Sequence, residues 1–407
     1  MSRFIINGGV ELSGSVDVSG SKNAALPLIF ASLLTRGVSV IRNVPQISDV
    51  DVALRLISDE GAEVSREKND LFIKTDRLKY VRPTDFLVSK IRASSYLMGA
   101  NLARFGICHL QSFGGCNFDT RPIDMHIDAM KAMGASQLGD TLVAASLSGA
   151  DIHFRRVSVG ATVNALFAAS LAKGRSRIYG YAKEPHVISL VEYLRSAGAE
   201  ITLYGDRIEV VGAELVGAEG YVIPDMIEAG TFLSLSLLTD SHLTVKGANA
   251  EHLASFTDSL ESAGANISFS GGAITAEGAL SGFLSVVAEP YPGFPTDLQP
   301  VTAPLMARFF GGRITERVWN ARFGYLSELE KFGVRYDRCE GGAVVRPSEL
   351  HSAQAKAPDL RGGAALLMCA LSARGESVID SAEIIKRGYS DVLNKLRQIG
   401  AEIKEVK

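Results

Sequence analysis

The chain has 407 residues, 46% of them apolar, with 42 basic and 45 acidic side chains and a net charge of −3. This composition excludes a disordered tail and a collagen-like repeat, and a protein that holds polyanions by bulk charge, so nucleic acid is not an expected partner. The length suits two to three domains, each large enough for its own core.

In chain order, two patterns interleave six times. The first is a nearly uncharged run: AALPLIFASLLTRGVSVI from Ala24, SSYLMGANLARFGICHL from Ser94, VNALFAASLAKGRSRI from Val163, GTFLSLSLLTDSHLTV from Gly230, PVTAPLMARFFGGRITE from Pro300 and AALLMCALSARGESVI from Ala364. Helices apolar on every side must be buried. After each run comes an amphipathic stretch ending in glycine and followed by a short polar strand. The glycines are Gly61, Gly134, Gly198, Gly264, Gly333 and Gly400, spaced by 73, 64, 66, 69 and 67 residues. Each stands where a left-handed cap would close a helix. Six repeats predict an α/β protein of two similar domains with three repeats each, buried helices inside, amphipathic helices outside and small sheets between. A solenoid of the same units is the competing arrangement. The stretch from Ala24 to Leu34 is far short of the ~20 residues that span a bilayer, so it reads as core and no membrane is an expected partner.

Polar or glycine-containing segments precede the buried helices: SGSKNAA, SKIRASS, SVGATVN, PDMIEAGTF, YPGFPTDLQP and DLRGGAA. Helix N-termini offer N–H groups and positive dipole ends, so six of them facing one cleft would suit a multiply anionic ligand. Lys22, Arg92, Asp297 and Arg361 lie in or near these openings. The segment FGGCNFDTRPIDMH, from Phe113 to His126, carries a thiol between paired glycines and charged residues, making Cys116 the best nucleophile or acid. Cys108 and Cys369 read as core, and Cys339 falls in a polar turn. No CxxC pair, HExxH, GxGxxG, P-loop or GxSxG pattern occurs in a supporting context, so neither a disulfide nor a metal is expected and no cofactor is assigned. No signal-peptide pattern precedes Phe4, and the expected compartment is the cytoplasm.

Taken together, SGSKNAALPL at 19–28, IRASSYLMGANLARFG at 91–106, GGCNFDTRPIDMHI at 114–127, SVGAT at 158–162, IEAGTF at 227–232, YPGFPTDLQP at 291–300, DLRGGAAL at 359–366 and RGYSDVLNKLRQIGA at 387–401 resemble the UDP-N-acetylglucosamine 1-carboxyvinyltransferase (MurA) family of the EPSP synthase superfamily. The resemblance spans the whole chain and implies an inside-out α/β barrel in two domains, 20–226 and 1–19 plus 227–407. It implies transfer of an enolpyruvyl group from phosphoenolpyruvate to the 3-hydroxyl of UDP-N-acetylglucosamine, the first committed step of peptidoglycan precursor synthesis. Such a reaction needs cations for phosphate and carboxylate, a base for the hydroxyl and an acid for the methylene carbon. Carried over, Lys22, Arg92, Arg121 and Arg397 match the phosphoenolpyruvate clamp. Cys116 matches the loop acid, which the epoxide fosfomycin alkylates in this family, and Asp297 the carboxylate beside the acceptor hydroxyl. Asn23 and Thr296 are expected at the sugar, with Val318 and Arg361 alongside. Arg121, Pro122, Ile123, Asp124, Met125 and His126, with Arg156, Ser158, Val159 and Gly160, are expected to cradle the uridine diphosphate, partly through backbone groups.

The sequence departs from the family pattern at Met226, where an arginine is usual, at Asn320 and Ala321 in WNARF, at Phe118 and Asp119 in the cysteine loop, at His186, and at Arg156 in place of lysine. These departures leave open a paralogue acting on a different nucleotide or nucleotide sugar. A binding-only regulator is a third reading, against which Lys22, Cys116, Asp297 and Arg397 stand as a set.

Overall fold

The computed structural model describes residues 2–115 and 122–407. These fall into two compact units, one of residues 2–19 and 224–407, the other of residues 20–115 and 122–223.

In the unit of residues 20–115 and 122–223, the helices Lys22–Ala31, Leu97–Phe105 and Val159–Leu171 are the apolar runs, and most of their side chains are buried. The last of them shows the repeat most fully. Strand Asp151–His153 leads into helix Val159–Leu171 and then into strand Arg175–Tyr179, parallel to the first with Asp151 opposite Arg177. Amphipathic helix Pro185–Ser196 follows, and the antiparallel strands Glu200–Leu203 and Arg207–Val211 complete a mixed four-stranded sheet. A parallel pair needs such a crossover, and the buried helix supplies it. The first repeat forms the same sheet from Val38–Arg42, Asp70–Lys74 and Glu63–Glu67, with Glu219–Tyr221 as its parallel edge. The second has a three-stranded sheet among the described residues, Ile107–His109, Thr141–Val143 and Ser136–Leu138.

In the unit of residues 2–19 and 224–407, the buried helices are Met226–Thr239, Gln299–Arg308 and Leu360–Ser372, each packed in one continuous core. Two sheets borrow strands from the N-terminus. Ser13–Asp17 is the parallel edge beside His242–Lys246, and Arg3–Gly8 pairs antiparallel with both Gly375–Asp380 and Glu402–Val406. The third sheet is Leu284–Ala288, Gly312–Glu316, Gly342–Arg346 and Arg335–Cys339.

All six repeat glycines take positive φ, from 93° at Gly333 to 112° at Gly198, and each is followed within two residues by a strand. Two amphipathic helices are shorter than their sequence pattern: Leu326–Leu329 continues only as the 3₁₀ turn Glu330–Phe332, and Val392–Gln398 has seven residues. Cys108 and Cys369 are buried, whereas Cys339 ends a strand instead of sitting in a turn.

The expectation of six open helix ends needs correction. Asp225 caps Met226–Thr239 by accepting from Ile227 N at 2.8 Å, and Asp359 caps Leu360–Ser372 by accepting from Arg361 N at 2.9 Å. Ser158 caps Val159–Leu171 more loosely, from Ala161 N at 3.3 Å. The two carboxylates already complement their helix dipoles, so these ends are not open to a further anion.

Candidate active site

Asp297 sits in the turn before helix Gln299–Arg308, and both its oxygens are taken by guanidinium groups. Arg322 Nη1 donates to Oδ1 at 2.7 Å and Arg361 Nε to Oδ2 at 3.2 Å. The same Arg322 nitrogen donates to Thr296 Oγ1 at 3.1 Å, and Thr296 in turn donates to Glu316 Oε2 at 2.7 Å. The other Glu316 oxygen accepts the backbone N–H groups of Val318 and Trp319 at 2.8 and 3.0 Å. Burial raises the Glu316 carboxyl above its usual range, against the opposing Thr296 bond. Burial also works against both arginine charges, but Asp297 at Arg322, and Tyr389 followed by Asp297 at Arg361, more than offset it and hold them above the ordinary guanidinium value. Arg361 lies over the Tyr389 ring at 5.1 Å, and the Tyr389 hydroxyl bonds Thr231 Oγ1 at 2.9 Å. Such fixed donors hold the Asp297 carboxylate in one orientation, as a carboxylate that takes a proton from a bound hydroxyl requires.

In the other unit, Lys22 opens its helix and its Nζ lies 3.4 Å from Asp49 Oδ2. Asn23 is the next residue, partly buried. Arg92 begins a 3₁₀ turn and acts electrostatically on buried His126. Pro122 is exposed, Ile123 precedes helix Asp124–Ala132, and Asp124 pairs with Arg155. Met125 is buried, which leaves its backbone rather than its side chain for a ligand. His126 Nδ1 faces Asn164 Nδ2 at 3.0 Å. Ser158, Val159 and Gly160 form the start of helix Val159–Leu171, and Arg156 is exposed beside them. Cys116, Arg121 and the departures at Phe118 and Asp119 lie outside the described residues.

The structure thus gathers Thr296, Asp297, Val318 and Arg361 into one network, and His126, Gly160 and Arg92 into another. Arg397 belongs to neither. Its Nε donates to Ile403 O at 3.0 Å, and Arg195, at the matching place three repeats earlier in the other unit, donates Nε to Ile201 O at 2.9 Å. The same bond at the same six-residue separation ties each outer helix to its strand. Among the departures, Met226 is the first residue of its helix and packs against the core, and His186 is buried in helix Pro185–Ser196.

Sequence reasoning missed Arg322, Glu316, Tyr389 and Asn164. Two carried a signal: Arg322 is a lone cation in the apolar stretch WNARF, and Asn164 a lone amide inside an apolar helix, where a buried polar group must find partners.

Two units of mixed α/β sheet, each threaded by buried crossover helices, with a doubly paired carboxylate in one, define a class that the comparisons specify. The model of the family EPSP synthase (3-phosphoshikimate 1-carboxyvinyltransferase) matches residues 6–396, and the chain belongs to that family. The UDP-N-acetylglucosamine 1-carboxyvinyltransferase of Halothermothrix orenii is 38% identical over 416 residues, covering 100% of both chains. UDP-N-acetylglucosamine 1-carboxyvinyltransferase 1 of Staphylococcus epidermidis is 39% identical over 422 residues, again covering 100% of both. Among solved structures, the enolpyruvyl transferase NikO from Streptomyces tendae superposes with a TM-score of 0.89 at 26% identity, covering 100% of this chain and 99% of that one. An EPSP synthase from Acinetobacter baumannii shares the fold with a TM-score of 0.74 at 17% identity, covering 100% of both.

Proposed function

We propose that this protein transfers the enolpyruvyl group of phosphoenolpyruvate to the 3-hydroxyl of UDP-N-acetylglucosamine and releases phosphate, as the first committed step of peptidoglycan precursor synthesis in the cytoplasm. The observation that carries this reading is full-length identity of 38% to 39% with UDP-N-acetylglucosamine 1-carboxyvinyltransferases, in a chain that keeps Asp297 oriented between two buried arginines. The working architecture is an inside-out α/β barrel repeated in domains 20–226 and 1–19 plus 227–407.

In this reading Asp297 takes the proton of the acceptor hydroxyl, while Arg322 and Arg361 fix the direction in which it is taken. Lys22, Arg92 and Arg121 neutralise the phosphate and carboxylate of phosphoenolpyruvate, and Cys116 protonates the methylene carbon. In place of Arg397, the fourth cation is Arg387. It precedes Gly388, where an added Cβ would stand 3.3 Å from Arg361 Nη1, and Tyr389, whose ring lies beneath Arg361. Thr296 and Asn23 contact the sugar, with the Val318 backbone beside it. Residues Arg121 to His126 and Arg156 to Gly160 hold the uridine diphosphate.

The test is phosphate release from phosphoenolpyruvate with UDP-N-acetylglucosamine, other UDP-sugars and free nucleotides as acceptors, with the product identified by mass. The expected product is the enolpyruvyl ether of UDP-N-acetylglucosamine. Phosphate release with another nucleotide and none with this sugar would overturn the acceptor assignment; no release with any acceptor would overturn the transferase.

A further inference from the structure

Asn164 is the one strongly polar side chain inside helix Val159–Leu171, and all its hydrogen-bonding capacity is directed. Its Oδ1 accepts the backbone N–H of Gly99 at 2.6 Å, and its Nδ2 donates to the carbonyl of Gly160 at 3.0 Å. A backbone N–H only donates and a carbonyl only accepts, so the amide has one allowed orientation. The second Nδ2 hydrogen then faces His126 Nδ1, 3.0 Å away. That ring nitrogen must accept.

We propose that Asn164 is a positioning residue that holds His126 as the neutral tautomer protonated on Nε2, so that the nucleotide-sugar site presents an uncharged N–H donor to a ligand oxygen. An imidazolium would carry a hydrogen on Nδ1 and set donor against donor. Burial and the neighbouring Arg92 charge oppose the cation as well, and the ring is pushed down to about 3. The acids of its own helix do not counter this, because Asp124 and Asp128 both face Arg155. Two glycines make room for the arrangement. A Cβ on Gly99 would lie 2.5 Å from the Asn164 carbonyl oxygen, and one on Gly160 would lie 2.8 Å from His126 Cε1 and 3.1 Å from Nε2. The Cε1–Nε2 edge therefore rests against the first turn of helix Val159–Leu171, and Nε2 makes no hydrogen bond among the described residues. A donor with no titration near neutral pH grips a ligand oxygen equally across the working range and adds no repulsion to the cations that the phosphates must neutralise.

The tautomer follows from the bonding alone; its use rests on the nucleotide-sugar reading above. Nitrogen NMR of the full-length protein labelled at histidine, with the His126 signals assigned from a His126→Gln spectrum, should show a neutral ring protonated on Nε2 that does not titrate between pH 5 and 8. A proton on Nδ1, or a midpoint inside that range, overturns the proposal without any variant of Asn164. In Asn164→Asp an oxygen replaces Nδ2, so the ring should move its proton to Nδ1 or titrate between pH 5 and 8. UDP-N-acetylglucosamine affinity should then fall at least tenfold, with kcat within about threefold. An unchanged tautomer in that variant counts against the proposal, even with weakened binding. A wild type that shows the Nε2 tautomer but binds no UDP-N-acetylglucosamine supports the positioning role and overturns the acceptor reading instead.

Discussion

Replacing Asp297 with asparagine keeps the shape of the side chain and removes its charge and one of its acceptor positions. One amide oxygen can serve Arg322 or Arg361, but the amide nitrogen then meets the other guanidinium as donor against donor. Both arginines are nearly sealed from water, with side-chain exposures of 3% and 0%, and Asp297 is 27% exposed. Stranding a buried charge by removing its partner costs roughly 3–5 kcal/mol. Here Asp359 and Glu316 still act on Arg322, and Asp225 on Arg361, which places the expected cost near the lower end, about 3 kcal/mol. At roughly 2–4 °C per kcal/mol for a unit of this size, Tm should fall by about 6–12 °C. Catalysis should suffer separately. An amide cannot take the hydroxyl proton, so kcat measured well below the new Tm should drop at least about 10²-fold, or ~2.7 kcal/mol, while calorimetric affinity for UDP-N-acetylglucosamine stays within a few-fold. A kcat within tenfold of wild type shows that Asp297 is not the base. A Tm within about 2 °C shows that the double ion pair contributes little to stability, and the ionic reasoning fails on that side alone.

With Arg387 and not Arg397 as the proposed fourth cation, Arg397→Ala should lower stability by about 1 kcal/mol and leave kcat within a few-fold, whereas Arg387→Ala should raise the phosphoenolpyruvate KM at least tenfold. Cys116→Ser should lose most turnover and keep nucleotide-sugar binding, because a hydroxyl is a far weaker acid than a thiol, and fosfomycin should add its mass to the wild type and not to the variant in intact-protein mass spectrometry. Glu60, buried beside Asn101, is raised by burial from 4.5 to about 8, opposed by the Asn101 bond. The folded state therefore binds a proton that the unfolded state has released, so Glu60 stabilises the fold fully below about pH 4.5 and ever less as pH rises to about 8. Glu60→Gln should flatten this slope and at pH 8 should raise stability by about 4 kcal/mol relative to its effect at pH 4.5, read from urea unfolding at the two values.

The repeats were legible because they are local. A glycine forced to positive φ and a helix without a polar face are consequences of a few adjacent residues, and six copies reinforce each other. Helix lengths were less legible: the stretch before Gly333 carries the same periodicity as its counterparts but gives one α-helical turn and a 3₁₀ turn, a choice made by tertiary packing that periodicity does not encode. The site was legible where a motif names its residue, as with Asp297, and illegible where a partner comes from far along the chain. Nothing near Thr296 announces Glu316 or Arg322, 20 and 26 residues away.

Internal repetition also separates scaffold from chemistry without any alignment. Arg195 and Arg397 occupy equivalent places and make the same bond to the strand that follows, so whatever fixes one fixes the other, and a ligand is not required to explain either. Arg361 occupies the opening of a buried helix, as Lys22 and Gly160 do; the two cations each pair with an aspartate, Asp297 and Asp49, Arg361 also lies over an aromatic ring, and Gly160 meets the edge of an imidazole. The bond that Arg195 and Arg397 make is not a feature of every repeat: the third residue before the cap glycine is Ser58, Lys131, Glu261 and Glu330 in the other four. The basic residues proposed to carry the chemistry are sought at the helix openings and in the segment around Tyr389, whereas the bond that Arg397 shares with Arg195 is one the fold alone accounts for.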